Sequence, residues 1–188
     1  AAMAAGDVTY VSNTSAPTKP TASTTYAFPT TNGYNLAQLI GADDSAEPPT
    51  AEALATQQID SAALSVVFGF TGSGAVRKMK LAISIAGNGA IFFALPQNNG
   101  QLIFESCVID LAVLASAYSI VKPNQDNGGA ANSCTYTEFR NTDIRMVSNA
   151  SSAILLGVGR FVWDGGSLLN GFPSTWLFQP YSTGAGSQ

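Results

Sequence analysis

Short β-type runs broken by glycine turns are the strongest constraint on how this chain can fold. Residues 62–70, 76–85 and 90–95 are rich in β-branched and aromatic side chains, and Gly72-Ser73-Gly74 and Gly87-Asn88-Gly89 separate them. Within residues 78–85, Met79, Leu81, Ile83 and Ile85 share one face, the alternation of a half-buried antiparallel strand. Residues 134–139 and 143–147 alternate in the same way. Residues 153–163 are the most apolar run, with Gly157 and Gly159 permitting a bulge or a close approach. Residues 7–11 read as a strand near the N-terminus, and Trp176-Leu177-Phe178 before Pro180 as a last edge strand.

Two segments break the pattern. Thr50, after Pro48-Pro49, caps a short predicted helix that runs to Gln58. Farther on, Phe104, Cys107, Val108, Leu111, Leu114, Ala115 and Tyr118 recur at helical spacing, with Pro123 just beyond. That spacing predicts a helix over residues 104–120 in preference to a pair of buried strands. No internal repeat is evident. The expected fold is mainly β: an antiparallel β-sandwich, jelly-roll-like, with one or two short helices and extended N- and C-terminal arms.

The 188 residues fit one domain. Residues 1–49 are expected as an arm carrying the strand 7–11, residues 50–181 as the sandwich core, and residues 182–188 as a tail. The arm is punctuated by Pro17, Pro20 and Pro29 among Ser, Thr and Ala, and could not bury enough surface alone to offset its ordering entropy. Ordered arms of this kind imply a neighbouring subunit. The start, Ala1-Ala2-Met3, fits removal of an initiator Met or cleavage behind a signal peptide. No apolar run reaches the length of a membrane helix, since Glu105 and Asp110 interrupt the longest one.

Charge is scarce. Only 8 basic and 12 acidic residues occur, with no histidine, so the expected surface is Ser, Thr, Asn, Gln, Gly and Ala. A Ser–His–Asp or Cys–His arrangement cannot exist without histidine. No SxxK context supports a Ser–Lys pair among Lys19, Lys78, Lys80 and Lys122. Glu105 with Asp110, Glu138 with Asp143, and Asp164 are the candidate carboxylates for glycoside hydrolysis, and nothing in their spacing is diagnostic of it. The plainer reading, solvated acids pairing with Arg140 and Arg145, is preferred. Asp43, Asp44 and Glu47 lack calcium-loop spacing, and the glycines form no phosphate cradle, so neither metal nor cofactor is expected. Asn13 and Asn149 head glycosylation sequons of the kind that chance supplies in such a composition.

Cys107 and Cys134 are a candidate disulfide, worth about 3–4 kcal/mol by loop entropy, or two buried thiols. Eight scattered cations at a net charge of −4 argue against more than weak nucleic-acid contact. Candidate intersubunit contacts are Val8, Tyr10 and Val11 on the N-terminal strand, Tyr26 and Phe28 in the arm, and Trp176, Phe178 and Tyr181 near the C-terminus. Together these features point to a non-enzymatic, self-assembling structural subunit. A viral coat or capsid-associated protein of the virion, joined to copies of itself by arm exchange and β-edge contacts, is the leading expectation. Alternatives are a pilus or surface-filament subunit using N-terminal strand complementation, and a secreted carbohydrate-binding module using Trp176 and its neighbours.

Overall fold

The computed structural model describes residues 3–14, 21, 24–29, 35–45, 49, 51–61, 65–85, 90–94, 100–111, 118–124, 135–146, 152–156, 159–169 and 178–180. The chain winds as a solenoid. β1 (Val8–Ser12), β2 (Thr24–Ala27), β3 (Ala37–Asp43) and the short β4 (Ala51–Glu52) open it. β5 (Ala55–Ser61), β6 (Ser65–Thr71) and β7 (Gly74–Arg77) complete a coil. The next coil is β8 (Met79–Ile85), β9 (Ala90–Ala94) and β10 (Gln101–Glu105), followed by β11 (Val108–Asp110), β12 (Tyr118–Asn124) and β13 (Thr135–Arg140). β14 (Asp143–Arg145), β15 (Ala153–Leu156) and β16 (Gly159–Asp164) form another, and β17 (Leu168–Leu169) and β18 (Phe178–Pro180) begin the last.

Strands from successive coils stack into three sheets. Sheet I runs β1-β3-β7-β10-β13-β16, with β4 alongside β3; sheet II runs β5-β8-β11-β14-β17; sheet III runs β2-β6-β9-β12-β15-β18. Every pairing is parallel except the two-residue β3–β4 contact. The mainly β expectation holds, and the antiparallel jelly-roll sandwich does not. Alternating residues did indicate strands with one face in the core, but a solenoid also leaves one face of a parallel strand in solvent. The periodicity of a single strand therefore cannot tell its neighbour's direction.

Neither predicted helix is found among the described residues. The interval expected as helix after Thr50 holds β4 and β5, and the start of the second holds β10 and β11. Each coil explains why. Inward-facing side chains alternate along a strand of sheet I, skip one extra residue at the corner, and alternate again along sheet II. In successive coils this gives Val76, Met79, Leu81 and Ile83; Phe104, Cys107, Ile109 and Leu111; and Phe139, Thr142, Ile144 and Met146, all buried. The skip from Phe104 to Cys107 is three residues, which imitates the step of a helix face.

The arm is also revised. Residues 8–12 do not project from the molecule, because β1 lies parallel to β3 in register Val8↔Gln38 to Ser12↔Ala42. Ser12 and Thr14 hydroxyls donate to the Asp44 carboxylate and fasten the segment after β1 to the one after β3. Likewise β2 pairs with β6, Tyr26 opposite Phe70.

The core is a column along the solenoid axis. Phe70, Phe104, Phe139 and Phe161 meet edge to face in sequence, with ring centroids 5.2–5.3 Å apart. Phe28 and Tyr26 extend the column by stacking on Phe70. Gly74 is required there, since a Cβ would overlap the Phe28 ring. Thr137 Oγ1 enters the core and donates to the Pro123 carbonyl at 2.6 Å, joining sheets I and III.

Candidate functional site: two coil ends and a corner groove

A solenoid has two ends at which sheets run out of partners. Among the described residues, β1 and β18 are both edge strands. Only four large apolar side chains in the described set are exposed: Val8 at 44%, Tyr10 at 52%, Leu54 at 46% and Phe178 at 45%. Three of these four sit on β1 and β18, which makes the coil ends the apolar part of the surface.

The two ends are built differently. β1, Val-Thr-Tyr-Val-Ser, carries no charge, proline or glycine. The far end carries Arg160 and Asp164 on β16 and Pro180 on β18, both devices that discourage strand addition. There the interior layer of Leu156, Phe161, Trp163 and Leu168 is only partly buried against the core. The Trp163 indole N–H donates to the Thr142 carbonyl at 3.1 Å, so its polar edge is satisfied within the coil.

Several candidate contacts therefore have definite places. Val8, Tyr10 and Phe178 stand at the ends. Val11 is half-buried against the core. Tyr26 lies on Phe70, its hydroxyl donating to Gln57 Oε1 at 3.3 Å and its pKa raised by burial. Phe28 is only 5% exposed and belongs to the core of its own chain, which corrects its reading as an intersubunit anchor. Trp176 and Tyr181 lie outside the described residues.

Cys107 is a buried free thiol whose Sγ donates to the Val76 carbonyl at 3.3 Å. Burial pushes its pKa up to about 12, which leaves it protonated and unreactive at neutral pH. Its candidate disulfide partner, Cys134, lies outside the described residues.

The remaining feature runs along the corner between sheets I and II. At successive coils the chain turns there through a left-handed residue: Lys78 (φ 52°), Ser106 (φ 54°), Asn141 (φ 46°) and Gly165 (φ 74°). The backbone ladder continues through the turn. Lys78 N–H donates to Glu105 O, Ser106 N–H to Arg140 O and Asn141 N–H to Asp164 O, at 2.8–3.1 Å. Beneath them Thr142 Oγ1 lies within hydrogen-bond distance of the Phe104 and Arg140 carbonyls and of the Cys107 N–H, closing the corner from inside.

Charge collects on this side. In sheet I, Arg77, Glu105, Arg140 and Asp164 occupy one register row and alternate in sign. Arg77 pairs with Glu52 at 3.0 Å and Glu105 at 3.4 Å. On sheet II, Asp110 takes Lys80 at 3.1 Å and Arg145 at 3.3 Å. Glu138 receives Arg140 and the Tyr136 hydroxyl, both at 2.8 Å, and the Arg140 guanidinium is the main reason its carboxyl is held below the usual range. Of the proposed carboxylates, Glu105, Asp110 and Glu138 are engaged by cations, and Glu138 is buried on β13 where a solvated loop acid was expected. No group of three or more His, Cys, Asp or Glu that could hold a metal occurs among the described residues.

Over the corner lies an open groove of about 310 Å³. One wall is the segment Glu52–Leu54, which drapes past β4; the other is the row Lys78, Ser106 and Asn141, with Asp143 and Val108 beside it and Cys107 in its floor. The sequence reading missed this row. Its only signal is the three-residue skip between inward positions, repeated at each corner. No helix among the described residues is long and apolar enough to cross a membrane. No protein-family model, curated protein or solved structure matches the chain.

Proposed function

We propose that this protein is a structural subunit that joins copies of itself through the edge of its N-terminal coil. The observation carrying this reading is β1: an edge strand with exposed Val8 and Tyr10 and none of the devices that keep edges apart. A partner strand laid against β1 would complete its backbone hydrogen bonds and cover both side chains. Because the opposite end is blunted by Arg160, Asp164 and Pro180, pairing of β1 with β1 across a twofold axis is favoured over head-to-tail growth. Among the described residues, Arg77, Lys80, Arg140 and Arg145 are engaged by carboxylates, which lowers the cationic surface offered to a nucleic-acid backbone. A role in a virion, or in an extracellular or cell-surface filament as the second reading, is consistent with a low-charge surface that is cheap to desolvate in contacts between copies.

Deleting the first 31 residues would not test this, because β1 and β2 are parts of the sheets and their loss uncovers the core. Two charges on the edge do so with less damage. Val8→Lys with Tyr10→Lys is expected to convert an oligomer into a monomer in sedimentation equilibrium, with the far-ultraviolet spectrum retained. An unsubstituted chain that remains monomeric at high concentration, or a double variant that assembles normally, overturns the proposal.

A further inference from the structure

We propose that the groove along the corner between sheets I and II is a binding site for a short neutral oligosaccharide. Three of the four left-handed corner positions carry side chains where glycine would sit without strain, and Gly165 shows the unstrained choice at the fourth. The three that carry side chains, Lys78, Ser106 and Asn141, are those that line the groove. Their side chains make no hydrogen bond or ion pair with other described residues, while most of the charged groups around them do. The corner therefore presents an ammonium, a hydroxyl and a carboxamide in a row, stacked about 4.8 Å apart by the spacing of the coils.

That row spans about 10 Å, the reach of a short linear ligand, and the groove is at the small end of ligand sites. Its chemistry fits linked sugar rings. Free donors and mixed donor–acceptors come from the row, and acceptors come from Glu52 and Asp143 on the flanks. Leu54, 46% exposed on the facing wall, offers an apolar surface for a ring's C–H face. A phosphate-rich ligand is disfavoured, because the groove is lined by two carboxylates, Glu52 and Asp143, against the single ammonium of Lys78. An extended peptide is disfavoured for a different reason: the corner N–H groups of Lys78, Ser106 and Asn141 already donate to the next coil, so no main-chain pairing is on offer.

The test titrates the full chain with cellotriose, maltotriose and chitotriose by calorimetry, with amide NMR to locate the site. Saturable binding of at least one is expected, with shifts confined to residues near 52–54, 78, 106–108 and 141–143. Affinity should be unchanged between about 50 and about 500 mM salt. Lys78→Gly, Ser106→Gly and Asn141→Gly combined remove the row while relieving the backbone, so Tm is expected to hold and binding to weaken by at least about tenfold. Asn141→Asp, which also tolerates the left-handed turn, is expected to weaken binding by a smaller factor. The proposal is overturned by absence of saturable binding to all three sugars, or by undiminished binding in the triple glycine variant. Binding only of an acidic oligosaccharide or an acidic peptide, with affinity falling as salt rises, overturns it equally.

Discussion

The corner between sheets I and II and the two other turnings of the solenoid solve the same geometrical problem in opposite ways. From β7 onward the first uses one to three residues between strands, whereas the others use between two and ten. At Lys78, Ser106 and Asn141 the tight corner is the same device: a left-handed residue, a backbone ladder that passes through it, and a buried residue, Met79, Cys107 or Thr142, just after it. The other turnings take up most of the variation in coil length. Along one register row, Gly74, Leu102, Thr137 and Phe161 lie 28, 35 and 24 residues apart. A solenoid can thus keep its register at one corner and vary freely at the others.

Insertions break this comparison most sharply. One glycine placed between Ser106 and Cys107 would turn Cys107, Ile109 and Leu111 toward solvent, since a one-residue slip exchanges the faces of a strand. The expected cost exceeds about 4 kcal/mol in urea denaturation. Four residues added to the ten between β12 and β13 are expected to cost less than about 1 kcal/mol, because closure entropy grows only slowly with length. Equal costs would show that the corner does not set the register.

Core truncation has the next largest effect. Phe104→Ala removes the ring that joins Phe70 to Phe139 and is expected to cost about 3–5 kcal/mol. A loss below about 1 kcal/mol would mean that corner turns, and not the aromatic column, hold the coils together.

Alkaline titration has no effect at neutral pH and isolates the corner's interior. Burial raises the Cys107 pKa from 9.0 to about 12, so the unfolded thiol ionises at lower pH than the folded one. Its contribution to stability is intact below about pH 9 and falls progressively as pH rises toward about 12. Cys107→Ala is expected to flatten that part of the stability–pH curve relative to the unsubstituted chain. A parallel pair of curves would place the thiol in contact with water.

Strand content was legible because Met79, Leu81 and Ile83 alternate whatever lies beside them. Parallel stacking was not, since the partners of β10 in sheet I begin at Gly74 and Tyr136, far away in sequence. Unequal coil lengths hid the repeat, and the corner skip from Phe104 to Cys107 imitated a helix. In the candidate site, Tyr10 and Val8 were readable as apolar residues in a polar segment. Phe28 had the same signature and went to the core, because only the fold brings Phe70 and Gly74 against it. The row of Lys78, Ser106 and Asn141 has no common chemistry that a sequence pattern would single out.

By itself the sequence determined that this chain is β-rich, poor in charge and without histidine, and hence which chemistries it cannot perform. Tertiary structure decided where the few charges went. Register places Arg77, Glu105, Arg140 and Asp164 in one alternating row and leaves the β1 edge neutral. The physical reason is that alternation is a local property of a strand. Which residues become neighbours across coils depends on how many residues each turning consumes, and that count is fixed only when the core closes.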